Sequence, residues 1–410
     1  MNSPHRTRRA AALLASLCGA LALRGSSTAA DVESPRPPAK PIEFNRDVRP
    51  ILAGSCFACH GPDKGARKAD LRLDQRDGLF GSREGGAPVV PRDPSRSQLF
   101  LRVTSHDPAE RMPPPETGKT LSPKDIATLE RWIAEGATWQ GHWAYLELRR
   151  PELPADSPAG AAPIDRFILA RLREVGLEPS PEADARTLVR RLSIDITGLP
   201  PEPARVEEYV RSPSAESYER LVDEFLASPQ YGERMAAAWL DLVRYADSVG
   251  FHGDQPQTIW PFRDYVIRAF NENLPFDRFT QEQIAGDLIP NATLEQKIAA
   301  AYNRLNMMSA EGGGQDKEYI AKYASDRVRA TSIAWLGATL GCAECHDHKF
   351  DPFTSRDFYS FAAFFADVSE RGIYGGAESS GAWGEMLAVP SPQQADALRR
   401  IDGDLIAAKA

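Results

Sequence analysis

Cys56-Phe57-Ala58-Cys59-His60 is the stretch around which the rest of the chain is organised. Two cysteines three positions apart, with a histidine directly after the second, form the attachment motif of a c-type haem. Two thiols one turn apart can reach both vinyl groups on one edge of a porphyrin, and the adjacent imidazole can then bind the iron. This stretch, the first pentad, therefore predicts a covalent haem on Cys56 and Cys59, with His60 as the proximal iron ligand. A disulfide or a pair of buried cysteines is the alternative.

The same pattern occurs again over Cys342–His346, which we name the second pentad. Three interpretations of it are open. The first is a second covalent haem on Cys342 and Cys345, with His346 as its proximal ligand. The second is a tetrahedral zinc site built from both cysteines, His346 and His348. The third is a disulfide or a buried structural pair.

A haem at the second pentad also raises the question of its distal ligand. His348 follows the proximal histidine too closely in sequence to pass around the porphyrin to the other face. The residue types that could serve are Met307, Met308, Met386 and His252. An open distal position is the other arrangement, and it would allow small molecules to reach the iron.

A methionine followed by three prolines, Met112–Pro115, supplies the candidate for the distal ligand of the first haem. A thioether binds ferrous iron well and raises the reduction potential of a haem. Prolines hold a loop in one conformation. Met112 lies 52 residues after His60 (112 minus 60), enough chain to reach the opposite face of the ring. The alternative is that Met112 fills a gap in the core.

One helix is expected before the first pentad, and another is expected after Met112. Asn45 can cap a short helix that ends just before Cys56. Ser122 and Asp125 form a capping box at the start of a second helix, and Gly136 ends it. Together these features predict a small cytochrome domain over residues 43–140.

The amino terminus predicts export from the cytoplasm. Basic residues near the start precede an apolar run over 10–23, and small residues follow up to Ala30. This is the pattern of a secretory signal peptide, here residues 1–30, and the apolar run is too short for a stable membrane span. We therefore expect a periplasmic or extracellular protein.

Charge and cysteine usage narrow the classes of partner. The formal net charge is −8, and residues 1–30 contain four arginines and no acidic residue, so the mature chain carries about −12 (−8 − 4). An acidic protein is a poor partner for nucleic acid or an anionic membrane surface.

Cys18 leaves with the signal peptide, and the other four cysteines all belong to the two pentads, so no separate disulfide framework is expected.

The rest of the chain predicts a larger helical domain. A proline-rich linker is expected over 148–163, followed by a helical domain over 164–370. Residues 371–410 form a tail, which we interpret as the start of a truncated further domain. Apolar residues at three- and four-residue spacings predict helices over 218–226, 235–246, 262–273, 294–305 and 317–340.

Several charged residues lie near the motifs of this second part. We expect them to act as helix caps and ion pairs, although in a pocket at the second haem they would become acid–base or substrate-positioning groups. They are Asp247, Asp254, Asp326, Arg327 and Asp351. His106 and His142 have no partner pattern and are interpreted as surface or packing residues.

At this point the sequence resembles a known family. The segments 44–52, 56–63, 71–74 and 111–114 are similar to the planctomycete-type cytochrome c domain. This resemblance implies a haem ligated by His60 and Met112. The segments 195–201, 244–247, 260–264, 285–287 and 326–328, together with the second pentad, resemble the domain that accompanies this cytochrome in a family of large exported proteins.

These observations predict a mostly α-helical protein, with a small c-type cytochrome domain and a larger all-α domain. Its expected function is that of an exported c-type cytochrome with one haem and a second at the other pentad, which transfers electrons to a redox partner protein or acceptor. The alternative is a redox enzyme or a binding protein for exported polymers, supplied with electrons by the cytochrome domain. A scaffold protein without haem is the third class.

Overall fold

The structure, a computed structural model, describes residues 41–155, 158, 160–251 and 253–409. The predicted signal peptide and His252 lie outside these residues. Within them the chain forms helices and only isolated β-bridges, with no strand. The predicted mostly α-helical fold, a small cytochrome domain with a larger helical domain, is confirmed. Within the described ranges, no helix is both long enough and apolar enough to cross a membrane.

The described chain divides into two compact units. The first contains the residues up to Gly61 and Lys68–Gln140, and the second contains Pro62–Arg67 and the residues from Gly141 onward. The predicted domain limits, including the linker over 148–163 and the tail, stay predictions.

The described part of the first unit contains five α-helices. They are α1 (Arg49–Ser55), α2 (Phe57–His60), α3 (Arg76–Phe80), α4 (Gln98–Thr104) and α5 (Pro123–Ala134). The capping box predicted for α5 is present, because the Ser122 side chain accepts from the backbone N–H of Asp125 and the Asp125 carboxylate accepts from that of Ser122. Helix α5 packs its buried face, which includes Leu129 and Trp132, against Phe44 in the core of this unit.

The prediction that Asn45 caps the first helix is wrong. Asn45 lies inside one turn of π-helix over Phe44–Val48, whose N-terminal flanking residue is Glu43. The backbone N–H of Asn45 donates to Oε1 of Gln140 at 2.9 Å. The chain turns here because Phe44 and Val48 must both enter the core, where each is at most 1% exposed.

The second unit contains the remaining helices. They are α6 (Pro163–Glu174), α7 (Ala185–Thr197), α8 (Pro203–Arg211), α9 (Ala215–Leu226), α10 (Pro229–Leu242), α11 (Trp260–Asn271), α12 (Phe276–Ala285), α13 (Leu294–Ala299), α14 (Asp316–Leu336), α15 (Ser355–Ala362), α16 (Ala377–Ser380) and α17 (Pro392–Lys409). Helices α10 and α11 approach closely at Gly232, where a Cβ atom would lie 2.4 Å from the carbonyl oxygen of Ile267. Asn271 stabilises this contact, because its Oδ1 accepts a hydrogen bond from the N–H of Gly232 at 2.8 Å.

The helix predicted over 317–340 ends earlier than expected. Helix α14 stops at Leu336 because Gly337 adopts a left-handed conformation, with φ of 58°. The second pentad therefore does not close a long α-helix. It lies instead on a separate 3-10 turn over Leu340–Glu344, which packs against α14 and α15.

Candidate haem sites

The first pentad lies on one continuous helical turn. The N–H of Cys56 donates to the Leu52 carbonyl at 2.7 Å, so the cysteine continues α1. The Cys56 carbonyl in turn accepts from the N–H groups of Cys59 at 3.1 Å and His60 at 2.8 Å. Because this turn fixes the backbone of all three residues, both thiols and the imidazole project from one short segment.

Both cysteines of the first pentad are free thiols. The alternative of a disulfide at this site is therefore not the arrangement found. Burial raises the pKa of the Cys56 thiol to about 11, which keeps it protonated at neutral pH. The site thus offers two unpaired S–H groups, as thioether formation with a porphyrin requires.

His60 is half-buried, and its ring is held by one backbone contact. Its Nδ1 lies 3.2 Å from the carbonyl oxygen of Lys68. A carbonyl oxygen can only accept, so Nδ1 carries the proton and Nε2 remains with its lone pair. Burial lowers the pKa of His60, and the charges of Arg83 and Arg102 lower it further, against the raising effect of the Lys68 contact. A neutral imidazole with its second nitrogen anchored to a carbonyl is how metal-binding histidines are usually oriented.

Gly61 ends this segment with an extended backbone. A Cβ atom at this position would lie 2.3 Å from the carbonyl oxygen of Phe57. Only glycine therefore fits directly after the histidine while α2 keeps its helical form.

Met112 lies outside the apolar core of the first unit and is half-buried. Its backbone N–H donates to the Arg102 carbonyl at 2.9 Å. Arg102 is also one of the charges close enough to lower the pKa of His60. Arg102 therefore connects the loop of Met112 with the surroundings of His60, and the position of Met112 outside the apolar cluster does not support a core-filling role.

The second pentad has a different local structure, but it also presents two free thiols. Cys342 belongs to the 3-10 turn over Leu340–Glu344, and Cys345 directly follows it. The two thiols therefore belong to one short segment, three positions apart. Both thiols are free and exposed, which excludes the buried pair and the disulfide as the arrangement found.

His346 and His348 differ in what their rings contact. Nδ1 of His346 lies 2.8 Å from the carbonyl oxygen of Asp347, which leaves Nε2 of this exposed ring with its lone pair. Both nitrogens of His348 are engaged: Nδ1 accepts from the N–H of Asp351 at 2.8 Å, and Nε2 lies 3.1 Å from Oγ1 of Thr339. His348 therefore has a structural role in the loop after the pentad.

The zinc interpretation finds no support in this geometry. Zinc needs its ligands to converge on one point. Across the described ranges, no group of three or more histidine, cysteine, aspartate or glutamate side chains is arranged to hold a metal ion. The second pentad is one of these described segments, and His348 would have to release two contacts to join a cluster there.

The candidate distal ligands of the second pentad have distinct environments. Met308 is 2% exposed and packs with Val249 and Trp383 in a separate apolar cluster. Met307 and Met386 are exposed, and His252 lies outside the described residues. Among the described residues, none of these three methionines shares an apolar cluster with the second pentad.

The charged residues near the second pentad form specific pairs. Asp326 pairs with Arg244, and Arg327 makes a buried bidentate pair with Glu370 at 2.7 and 2.5 Å. These contacts are those of structural ion pairs. Sequence reasoning missed a further contact of these residues, because Nε2 of His142 lies 3.1 Å from Oδ1 of Asp351.

Both pentads fit covalent haem by the chemistry of their donors. Each presents two free thiols on one short turn, and each has a histidine whose Nδ1 is anchored to a carbonyl and whose Nε2 is not. The first site is the more buried of the two, so its haem would experience a lower dielectric.

Comparison with protein-family models identifies both parts of the chain. Residues 56–116 match the model described as planctomycete cytochrome C, and residues 163–370 match the model described as protein of unknown function DUF1549. No curated protein and no solved structure matches the chain. The DUF1549 match covers slightly more than half of the 410 residues. The chain therefore belongs to the DUF1549 family, and a planctomycete-type c-type cytochrome domain precedes that family's domain in it.

Proposed function

We propose that this protein is an exported electron-transfer protein with two covalent haems, one at each pentad. The observation that supports the proposal is the repeated donor set: two free thiols and an imidazole with its Nδ1 held by a carbonyl, found twice on unrelated local structures. Export is supported by the leader pattern of residues 1–30.

At the first site, Cys56 and Cys59 would hold the porphyrin, and His60 and Met112 would bind the iron. The haem, when bound, supplies a one-electron iron couple. The Lys68 carbonyl holds the His60 ring in the tautomer that keeps Nε2 available. The prolines after Met112 limit the conformations of its loop, so less ordering is required when the thioether engages.

At the second site, Cys342 and Cys345 would hold the porphyrin and His346 would bind the iron. Because both cysteines are exposed, a haem held there would be accessible to a redox partner protein or a small acceptor. The acidic chain favours partners with a basic surface, because complementary charge speeds encounter.

The decisive measurement is the number of covalent haems per chain, obtained by intact mass and by pyridine haemochrome after expression with a haem-attachment system. We expect two in the natural chain and one in each of the matched variants Cys59→Ala and Cys345→Ala. A natural chain with one haem, lost in Cys59→Ala and kept in Cys345→Ala, would restrict the proposal to the first site. A chain without covalent haem would overturn it.

A further inference from the structure

The second unit contains a cavity of about 1170 Å³ that the haem chemistry does not use. Its wall is formed by the start of α11, parts of α12, α13 and α14, the segment after α15, and the segment around Trp383. None of the pentad residues Cys342, Cys345 and His346 lines it. A volume of this size accommodates a multi-ring organic molecule.

The cavity is lined mainly by apolar side chains, and most of its charged lining residues are exposed. Aromatic rings from separate elements line the wall, among them Trp260, Phe262, Trp335, Phe365 and Trp383. The charged lining residues are Asp287, Asp367, Glu385, Lys297 and Arg304. Three carboxylates against two cations leave a net charge of −1, so the cavity has no electrostatic preference for an anion.

Trp383 brings an unused hydrogen-bond donor to this wall. Its side chain is 5% exposed, and its Nε1 has no hydrogen-bond partner among the described residues. The ring is held in place, because the Trp383 carbonyl accepts from Arg304 and the indole packs 6.2 Å from the Tyr374 ring. By contrast, Nε1 of Trp335 donates to Oγ1 of Thr280 at 2.9 Å.

Asn303 brings an unused acceptor to the same wall. Its Nδ2 donates to the carbonyls of Ile284 at 3.0 Å and Ala300 at 3.3 Å, and these contacts set the orientation of the amide. Its buried Oδ1 has no partner within the part of the chain that the structure describes. The Asn303 backbone is fixed too, because its carbonyl accepts from Nε of Arg327 at 2.8 Å. A buried polar atom without a partner is costly and therefore calls for an explanation.

We propose that this cavity binds an uncharged, multi-ring aromatic molecule that carries hydroxyl groups, a ligand of the phenol class. Hydroxyl groups both accept and donate, and these are the two hydrogen-bonding roles that the indole N–H of Trp383 and the amide oxygen of Asn303 leave open. The aromatic walls match the planar body of such a ligand through stacking and edge contacts. The uncharged state of the ligand agrees with the lining residues, whose opposite charges nearly balance.

This site goes beyond electron transfer and does not depend on the number of haems. Binding is measured on the full-length haem-loaded protein by isothermal titration with 1,5-dihydroxynaphthalene as the probe. Naphthalene has the same rings without hydroxyls, and 1-naphthoate carries a charge. We expect the diol to bind saturably and more tightly than both.

The variant Trp383→Phe keeps an aromatic ring and removes the donor. It should weaken binding of the diol by about fivefold, the effect of one hydrogen bond, and leave naphthalene within about twofold. The control Trp143→Phe makes the same change at a residue that is 69% exposed and away from the cavity, and it should change neither affinity.

Several outcomes would overturn the proposal. They are the absence of saturable diol binding, an equal loss for the diol and naphthalene in Trp383→Phe, and tighter binding of naphthoate than of the diol. If Trp383→Phe does not fold, the comparison of the three probes on the natural protein still decides, because it needs no variant. A covalent haem count below two would leave this result unaffected.

Discussion

Nδ1 of His60 lies 3.2 Å from the carbonyl oxygen of Lys68, and this contact decides which ring nitrogen is available to iron. The two residues are eight positions apart, and the N–H of Lys68 also donates to the Cys59 carbonyl at 2.7 Å. The chain thus returns onto the first pentad and holds both its second cysteine and its histidine. The loop after the pentad is therefore part of the proposed haem site.

Replacement of Met112 by alanine tests the distal ligand. Because a thioether favours ferrous iron, Met112→Ala should lower the reduction potential of the first haem, on the order of 100 mV. The measurement is a spectroelectrochemical titration that follows the methionine–iron absorption band. Met386→Ala, at an exposed methionine of the second unit, is the control for the first haem's potential. An unchanged potential with the band intact would show that another residue binds this iron.

Two glycines near the first pentad differ in the space available for a side chain, so their alanine variants can be compared in stability. A Cβ at Gly61 would lie 2.3 Å from the Phe57 carbonyl, whereas nothing lies within 4 Å of one at Gly54, which is in α1. Gly61→Ala should lower the free energy of unfolding by about 2 kcal/mol, and Gly54→Ala should raise it by about 0.5 kcal/mol through helix propensity. Denaturant titrations measure both, and equal effects would argue against the close approach at Gly61.

Two arginines on α14 allow the stability contribution of a buried ion pair to be compared with that of an exposed one. Arg327 and Glu370 are 1% and 5% exposed at their side chains, while Arg329 and Glu344 are 47% and 25% exposed. Arg327→Met leaves a buried carboxylate without its partner and should cost about 3–5 kcal/mol. Arg329→Met should cost less than about 1 kcal/mol. Urea midpoints give both values, and a small loss for Arg327→Met would mean that Glu370 reaches solvent.

The burial of Tyr302 predicts that the free energy of unfolding decreases at alkaline pH. Burial raises its pKa from 10 to about 12, although the hydrogen bond with Thr331 lowers it. Because the unfolded chain loses this proton near pH 10 and the folded chain near pH 12, the stabilisation is complete below pH 10. It decreases by about 1.4 kcal/mol per pH unit between those values.

The variant Tyr302→Phe should therefore show a shallower decrease in unfolding free energy between pH 10 and pH 12 than the natural protein. Tyr359→Phe, at a residue that is 58% exposed, is the matched control. Tyr323, whose pKa burial also raises to about 12, contributes equally to all three proteins. Parallel pH profiles for Tyr302→Phe and the natural protein would contradict the prediction.

Local signals predicted much of the fold. The capping box at Ser122 and Asp125 identified the start of α5, because both partners lie within one turn and need no tertiary partner. The end of α14 was predicted four residues too late (340 minus 336). Gly337 was a visible breaker there, but the apolar spacing continued past it. Asn45 was misassigned as a cap because the demand to bury Phe44 and Val48 outweighed the local capping preference.

The roles of His142 and His348 could not be predicted, because they depend on distant partners. His348 looked like a metal ligand by residue type, yet its ring holds together a loop that includes Thr339 and Asp351. His142 looked unpartnered, yet it meets Asp351 at 3.1 Å across more than two hundred residues. Sequence spacing carries no information on such contacts.

The amino-acid order by itself indicated the proposed attachment chemistry, because a Cys-X-X-Cys-His segment spans a single turn and its reach to a porphyrin edge is a local property. Only the tertiary structure decided which nitrogen of His60 stays available, that the thiols at Cys342 and Cys345 are exposed, and that Asn303 and Trp383 line one cavity. The physical reason is that hydrogen-bond partners and burial arise when segments far apart in sequence pack together, and the same packing sets the environment of each polar atom.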